Sequence, residues 1–231
     1  GDLDGDGLRD IVAISDEPES ARKQERENRA AGLAQLGAPQ PPPKPDTDGY
    51  LEGLDIRAFF GVKGGGFVER STGLENACFG YSLELAVRPA SAGSPYFVTG
   101  CRYEGGRALL FEYDAPGKSF RYVGRGVVEE FGFHSGSAVG TYRGFPAAFS
   151  SYVKGNAPGA DKNPIRGHGV SIYYRDGEGW KRKRLVKVLA DQGVESAGIG
   201  VGDLNGDGLD DVVWADDSVG RVRVFFQTAK G

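Results

Sequence analysis

Two short stretches of the sequence carry an oxygen-bearing side chain at alternate positions. The chain begins GDLDGDGLRDIV, and residues 202–213 read GDLNGDGLDDVV, so nine of twelve positions agree. The interspersed glycines allow the backbone to curl, so that alternate side chains can converge on one centre. Such a centre offers only oxygen ligands and three or four negative charges, which suits Ca²⁺ better than Zn²⁺ or Cu²⁺. The two stretches therefore predict two calcium loops.

Places in each loop are counted from Asp2 in the first and from Asp203 in the second. The candidate ligands occupy the same five places in both loops. Four of them would bind through a side chain, and the residue at the seventh place would bind through its backbone carbonyl. They are Asp2, Asp4, Asp6, Leu8 and Asp10 in the first loop, and Asp203, Asn205, Asp207, Leu209 and Asp211 in the second. The loops are not EF-hands, because the twelfth place holds Ala13 or Trp214 instead of a bidentate Glu. Mg²⁺ is a weaker candidate because it prefers a tighter octahedron. Solvated Asp-Gly turns are the alternative interpretation.

The composition favours an all-β protein. The 231 residues include 38 Gly, 13 Phe and 10 Tyr, which is typical of many short strands joined by tight turns. A net charge of −4 disfavours a nucleic-acid partner. We expect no membrane-spanning segment, since no run of eighteen apolar residues occurs. The first residues already belong to a motif, so we expect the chain to be a piece of a longer polypeptide.

A repeated unit of strand-like segments organises the sequence. An FG anchor at residues 79–80 recurs at 131–132, and Gly193 holds the matching place in a third unit. Each anchor precedes alternating strand-like runs, and hairpin turns such as DAPGK and DGEG join further ones. Four antiparallel strands per unit predict a β-propeller segment of about four blades over residues 1–231, with incomplete terminal blades. A barrel or sandwich is the alternative.

An insertion at residues 17–49 interrupts the first unit. Its first part is helix-forming, with Asp16 as the N-cap and Gly37 as the stop, and a proline-rich arm follows. We interpret it as a surface excursion or as a docking arm for a partner.

The two cysteines, Cys78 and Cys101, flank a predicted hairpin whose turn lies near residues 90–94. At the open end of that hairpin they could form a disulfide, which would indicate an oxidising compartment. Two buried thiols are the alternative.

The motifs together resemble FG-GAP and VCBS-type repeats, which occur in the integrin α-subunit propeller and in bacterial surface proteins. The resemblance rests on FGYSLELAV and on the loops DLDGDGLRD and DLNGDGLDD. It implies that calcium stabilises individual blades and that the propeller serves adhesion, glycan binding or assembly. In the two middle units RPASAGSP and GTYRGFP replace the acidic loop, so we expect no calcium there.

The functional expectation is a secreted, cell-surface or periplasmic module that binds a protein or glycan without catalysis. A lectin-like propeller, or the propeller of a calcium-dependent polysaccharide lyase or hydrolase, is the alternative. The sequence contains neither a G-x-S-x-G nor an H-E-x-x-H motif. We interpret His134 as a packed residue at a strand end and His168 as a loop residue. The basic run at residues 181–184 is interpreted as protection of an edge strand rather than as a polyanion site.

Overall fold

The computed structural model describes residues 1–14, 56–74, 85–100, 108–124, 127, 132–154, 167–189, 198–216 and 220–230. Over these ranges the chain is all-β, as the sequence predicts, and it contains no α-helix there. The insertion at residues 17–49, Cys78 and Cys101 lie outside the described residues. The helical arm and the disulfide therefore stay predictions.

Fourteen strands are present in the described ranges. They are β1 (Ile11–Ile14), β2 (Ile56–Gly61), β3 (Phe67–Glu69), β4 (Leu85–Arg88), β5 (Tyr96–Gly100), β6 (Ala108–Asp114), β7 (Ser119–Tyr122), β8 (Gly132–Tyr142), β9 (Phe145–Lys154), β10 (Gly167–Arg175), β11 (Trp180–Leu189), β12 (Ile199–Gly202), β13 (Asp211–Asp216) and β14 (Arg221–Phe225). One short 3-10 turn, Ala90–Ala92, lies between β4 and β5. That turn lies where the sequence predicts the end of a hairpin.

The strands form four antiparallel sheets, each a meander of consecutive strands. Sheet 1 contains β1 to β3, sheet 2 contains β4 to β7, sheet 3 contains β8 to β11, and sheet 4 contains β12 to β14. The middle sheets have four strands and the outer two have three. The described sheets do not form a closed ring.

Three hydrophobic clusters lie between consecutive sheets. Phe60 of sheet 1 packs with Phe97 and Phe111 of sheet 2, and the latter two rings stack at 5.1 Å. A second cluster joins sheets 2 and 3, and a third, which includes Phe149 and Val212, joins sheets 3 and 4. Burying a side chain of this size stabilises by about 1.5–3 kcal/mol. The sheets are therefore held face to face mainly by apolar burial.

Strand β5 shows why the middle sheets can be covered on both faces. All five of its residues are buried. Successive side chains on a strand point to opposite faces. Phe97 accordingly packs in the cluster facing sheet 1, whereas Tyr96 and Val98 pack in the cluster facing sheet 3. The uninterrupted apolar run YFV, followed by the buried Thr99, is thus the pattern of a strand inside a stack of sheets.

The outer strand of sheet 3 carries the basic run. Strand β11 lies at the edge of the described sheet, and Lys181, Lys183 and Arg184 on it are exposed. This placement agrees with the interpretation of the run as protection of an edge strand.

The placement of His168 corrects the sequence interpretation. His168 lies in β10 instead of a loop and is buried, with 1% of its surface exposed. Its Nε2 atom lies 3.0 Å from Oδ1 of Asp216 in sheet 4, and its ring packs against Trp214. The loop interpretation is wrong because these contacts with the neighbouring sheet hold the residue in the strand.

Candidate metal centre

Three carboxylates of the first loop converge. One oxygen each from Asp2, Asp4 and Asp10 lies within 4.8 Å of the other two. Gly5 and Gly7 adopt φ of 80° and 85°, which lets the backbone curl between these side chains. The group therefore offers a hard, oxygen-only donor set of the kind that Ca²⁺ prefers.

Backbone N–H groups hold two of these carboxylates in place. Asp2 accepts hydrogen bonds from the backbone nitrogens of Gly5 at 2.7 Å and Gly7 at 3.0 Å. Asp10 accepts from Leu3 at 2.5 Å and from Gly61, at the end of β2, at 3.0 Å. The shape of the loop is thus fixed by its own acidic side chains. Each oxygen keeps a lone pair for a cation.

The two oxygens of Asp4 have different surroundings. Its Oδ2 atom accepts a hydrogen bond from Nη1 of Arg70 at 2.9 Å. Its Oδ1 atom is buried and has no hydrogen-bond partner among the described residues. A buried unsatisfied carboxylate oxygen costs free energy that a bound cation would recover. This atom and the donor set around it fit a divalent metal ion.

The structure places Asp6, another predicted ligand of the first loop, differently. Asp6 is exposed, and its Oδ1 atom accepts a hydrogen bond from the backbone nitrogen of Leu8 at 2.8 Å. Asp6 is not a member of the close group formed by Asp2, Asp4 and Asp10. The structure thus brings together three of the four predicted side-chain ligands in this loop.

The electrostatics of the first loop are those of crowded acids. Burial raises the pKa of Asp10, and the neighbouring charges of Asp4 and Asp2 raise it further. The backbone N–H groups of Leu3 and Gly61 lower the same pKa but do not cancel the increase. A cation bound between these carboxylates would relieve the repulsion.

The second loop repeats the hydrogen bonds of the first. Asp203 accepts from the backbone nitrogens of Gly206 and Gly208 at 2.7 and 2.8 Å. The N–H of Gly208 is the main cause that lowers the pKa of Asp203. Asp211 accepts from Leu204 at 3.1 Å and from Gln227, beyond β14, at 2.9 Å. Asp203 and Asp211 therefore do in this loop what Asp2 and Asp10 do in the first.

The two loops differ at the third place. Asn205 stands where the first loop has Asp4, and its Nδ2 atom donates to Oδ2 of Asp207 at 3.1 Å. Asp207 also accepts a hydrogen bond from the backbone nitrogen of Leu209 at 2.9 Å. No three acidic side chains are as close as the first group in the described part of this loop. Its donor set contains one amide in place of a carboxylate.

The acid-free connections of the two middle sheets have other stabilising contacts. Between β4 and β5, the Arg88 guanidinium donates to the carbonyl oxygens of Ala92 at 2.5 Å and Gly140 at 3.1 Å. Between β8 and β9 the connection is a two-residue turn, Arg143 and Gly144, with φ of 55° and 77°. A guanidinium in one connection and a tight turn in the other thus stand where an acidic loop occurs in sheets 1 and 4.

The two acidic loops and the two middle connections also contact one another. The backbone nitrogen of Ala90 donates to the carbonyl of Asp2 at 2.7 Å, which joins the first loop to the connection in sheet 2. Thr141 donates through its backbone nitrogen and its hydroxyl to Oδ2 of Asp210, both at 2.7 Å. Together with the bond from Arg88 to Gly140, these contacts place both acidic loops and both middle connections at one end of the sheets.

Sequence reasoning did not find Arg70. The residue lies 66 positions from Asp4 and outside every motif, directly after the short strand β3. No local pattern marks it, because its role depends on how sheet 1 folds back over the first loop.

Neither a protein-family model nor a curated protein matches this chain. The likeness to FG-GAP and VCBS-type repeats therefore stays a resemblance that depends on the motif residues alone. In the described ranges, no helix is long and apolar enough to cross a membrane.

Proposed function

We propose that the chain is a calcium-binding β-propeller segment that acts outside the cytoplasm as a non-enzymatic module for binding, adhesion or assembly. The observation that carries the calcium assignment is the convergence of Asp2, Asp4 and Asp10, with a buried oxygen of Asp4 left without a protein donor. The second loop, with the same backbone hydrogen bonds to Asp203 and Asp211, is the second calcium site.

The arrangement of the sheets supports the propeller. Four antiparallel meanders follow one another in chain order, and each packs face to face on the next. Propeller blades are four-stranded sheets of this kind, arranged around a central axis. Both acidic loops and both middle connections lie at one end of the sheets, as the repeated geometry of blades requires.

The ion would have a structural role in each loop. Bound there, it supplies the positive charge that compensates carboxylates packed close together. Asp10 links the first loop to Gly61 at the end of β2, and Asp211 links the second to Gln227 beyond β14. Stabilising the loop therefore stabilises the connection between strands of one sheet.

Two further features support a binding module outside the cytoplasm. Calcium loops of modest charge suit the high calcium concentrations outside cells. His168 is buried against Asp216, so it is not accessible to a substrate. The partner is a protein or a glycan that contacts the propeller faces.

Calcium titration calorimetry tests the proposal directly. The protein should bind two equivalents of Ca²⁺, and Asp4→Ala and Asp207→Ala should each remove one. Ligand at a hundredfold excess over its dissociation constant stabilises the folded state by about 2.7 kcal/mol for each site. Glu178→Ala is the control, because this carboxylate is 84% exposed and, among the described residues, pairs with Lys181 alone.

Two results would contradict this assignment. They are the absence of calcium binding by the unmodified protein and an unchanged stoichiometry in Asp4→Ala. The non-enzymatic role is checked separately, by incubating the calcium-loaded protein with acidic and neutral polysaccharides. Retention on a glycan or protein array without product release is expected, whereas turnover would indicate a lyase or hydrolase instead.

A further inference from the structure

Arg70 is fixed beside the first loop by one backbone contact and two side-chain contacts. Its backbone nitrogen donates to the carbonyl of Ala58 in β2 at 2.9 Å. Its guanidinium carbon lies 5.0 Å from the centroid of the Phe60 ring, which is fully buried. Its Nη1 atom then reaches Oδ2 of Asp4 at 2.9 Å. The positive charge is therefore held in one place by stacking and by hydrogen bonding.

The charges of the two loops explain why the positively charged side chain of Arg70 lies beside Asp4. At the four side-chain ligand positions, the first loop has four carboxylates, and the second has three carboxylates and an amide. Arg70 reduces the net charge at these positions of the first loop to three negative charges, which equals the charge at the ligand positions of the second loop. In the described part of the chain, no Lys or Arg side chain pairs with Asp203, Asp207 or Asp211. Among the described residues, the loop with the additional carboxylate, Asp4, is thus the only one of the two in which a guanidinium pairs with a candidate ligand.

We propose that Arg70 is a built-in counter-cation that lowers the calcium affinity of the first loop and stabilises its calcium-free form. This inference rests on the proposed calcium function. The guanidinium occupies Oδ2 of Asp4, whereas Oδ1 has no hydrogen-bond partner in the described part of the chain. Arg70 and the ion can therefore share one carboxylate, so Arg70 tunes the affinity without closing the site.

Solvent would screen only part of the repulsion between the guanidinium of Arg70 and a calcium ion bound at Asp4. The side chain of Asp4 is 16% exposed and that of Arg70 is 27% exposed, so much of the space between them excludes water. Arg70 and the ion would share the carboxylate of Asp4. At such a poorly hydrated position, a positive charge opposes calcium binding more strongly than it does at an exposed position. A role of Arg70 in orienting Asp4 for the ion predicts the opposite effect, because removal of Arg70 would then weaken binding.

Three substitutions at Arg70 separate charge from packing. All are made with Asp207→Ala, so that only the first loop binds, and calcium affinity is measured by calorimetry. Arg70→Gln and Arg70→Met remove the charge, and Met also keeps the aliphatic stem over Phe60. Both should bind calcium about tenfold more tightly, which corresponds to about 1.4 kcal/mol. Arg70→Lys keeps the charge and should stay within about twofold of the parent.

A matched control measures the effect of a distant charge. Arg9 is an exposed arginine in the same loop, and Arg9→Gln should change the affinity by less than about threefold. A second readout needs no calcium. In the presence of a chelator, Arg70→Gln and Arg70→Met should melt at a lower temperature than Arg70→Lys, because the acids of the loop lose their counter-charge.

The possible results are distinguishable. Calcium binding that is unchanged or weaker in both charge-free variants overturns the role of Arg70 but leaves the calcium loops in place. An effect of Arg9→Gln as large as that of Arg70→Gln also overturns it, because the contact with Asp4 would then be irrelevant. An unmodified protein that binds no calcium overturns both the proposed function and this inference.

Discussion

The carboxylate of Asp10 accepts a hydrogen bond from the backbone of Gly61, and this contact connects the first acidic loop to the C-terminal end of β2. Oδ1 of Asp10 accepts the Gly61 N–H at 3.0 Å, while Oδ2 accepts from Leu3 at 2.5 Å. Asp211 makes the equivalent pair of bonds with Gln227 and Leu204. The last acid of each loop is therefore part of the framework of its sheet as well as a candidate ligand.

The framework role predicts a loss of stability that does not require calcium. Asp10→Ala removes the acceptor of two backbone N–H groups, and Asp10 is 5% exposed. We expect a loss of about 2–4 kcal/mol in the free energy of unfolding, because each buried donor left unsatisfied costs about 1–3 kcal/mol. Urea unfolding in the presence of a chelator measures it. Asp6→Ala, at an exposed place in the same loop, should cost less than about 1 kcal/mol; equal losses would contradict the framework role.

Acidification should release calcium from the first loop before the second. Protons and calcium compete for the same oxygens. Burial raises the pKa of Asp10, so this carboxyl takes up its proton at a higher pH, whereas the Gly208 N–H lowers the pKa of Asp203. As the pH is lowered from 7, the affinity of the first loop should therefore decrease before that of the second. Titrations of Asp207→Ala and Asp4→Ala, which isolate the two loops, measure this difference, and a larger decrease in the second loop would refute it.

The strands and their order could be predicted from the sequence because both follow from local patterns. The hairpin turn predicted from DAPGK joins β6 to β7, and that predicted from DGEG joins β10 to β11. The three-stranded outer sheets also follow from the order of strand-like segments. These features depend on alternation and turn chemistry, which neighbouring residues determine.

The contacts between sheets could not be predicted in this way. Arg70 reaches Asp4 across 66 positions, and the position of His168 depends on Asp216 in the next sheet. Spacing alone also treats Asp6 as equivalent to Asp2, although Asp6 bonds the Leu8 N–H and lies outside the close group. Such relationships depend on how the sheets stack, which no local pattern in the sequence records.

A buried glutamate between sheets 2 and 3 should be important for stability. Glu112 in β6 accepts hydrogen bonds from Nη2 of Arg121 at 2.7 Å and from Nε1 of Trp180 at 2.8 Å, and its Oε1 atom lies 3.1 Å from Nη1 of Arg175. Glu112→Gln removes the charge that these donors share. Because both arginines are partly exposed and can be hydrated, we expect a loss of about 2 kcal/mol.

Thermal unfolding measures this loss as a decrease in Tm of roughly 4–8 °C for a chain of this size. Glu178→Gln is the matched control, because this exposed carboxylate bonds only Lys181. It should change the free energy of unfolding by less than about 0.5 kcal/mol. A similar decrease in both variants would show that Glu112 does not connect the two sheets energetically.

The turn between β8 and β9 should depend on the backbone freedom of Gly144. Gly144 has φ of 77°, and a Cβ atom added there would contact nothing within 4 Å. Gly144→Ala therefore isolates the backbone cost, which should be about 1–2 kcal/mol. Gly200 in β12 has equally open space but no positive φ, so Gly200→Ala should be neutral or stabilise by up to about 1 kcal/mol. Urea unfolding of both variants measures the difference, and an equal loss in both would show that the turn conformation is not the cause.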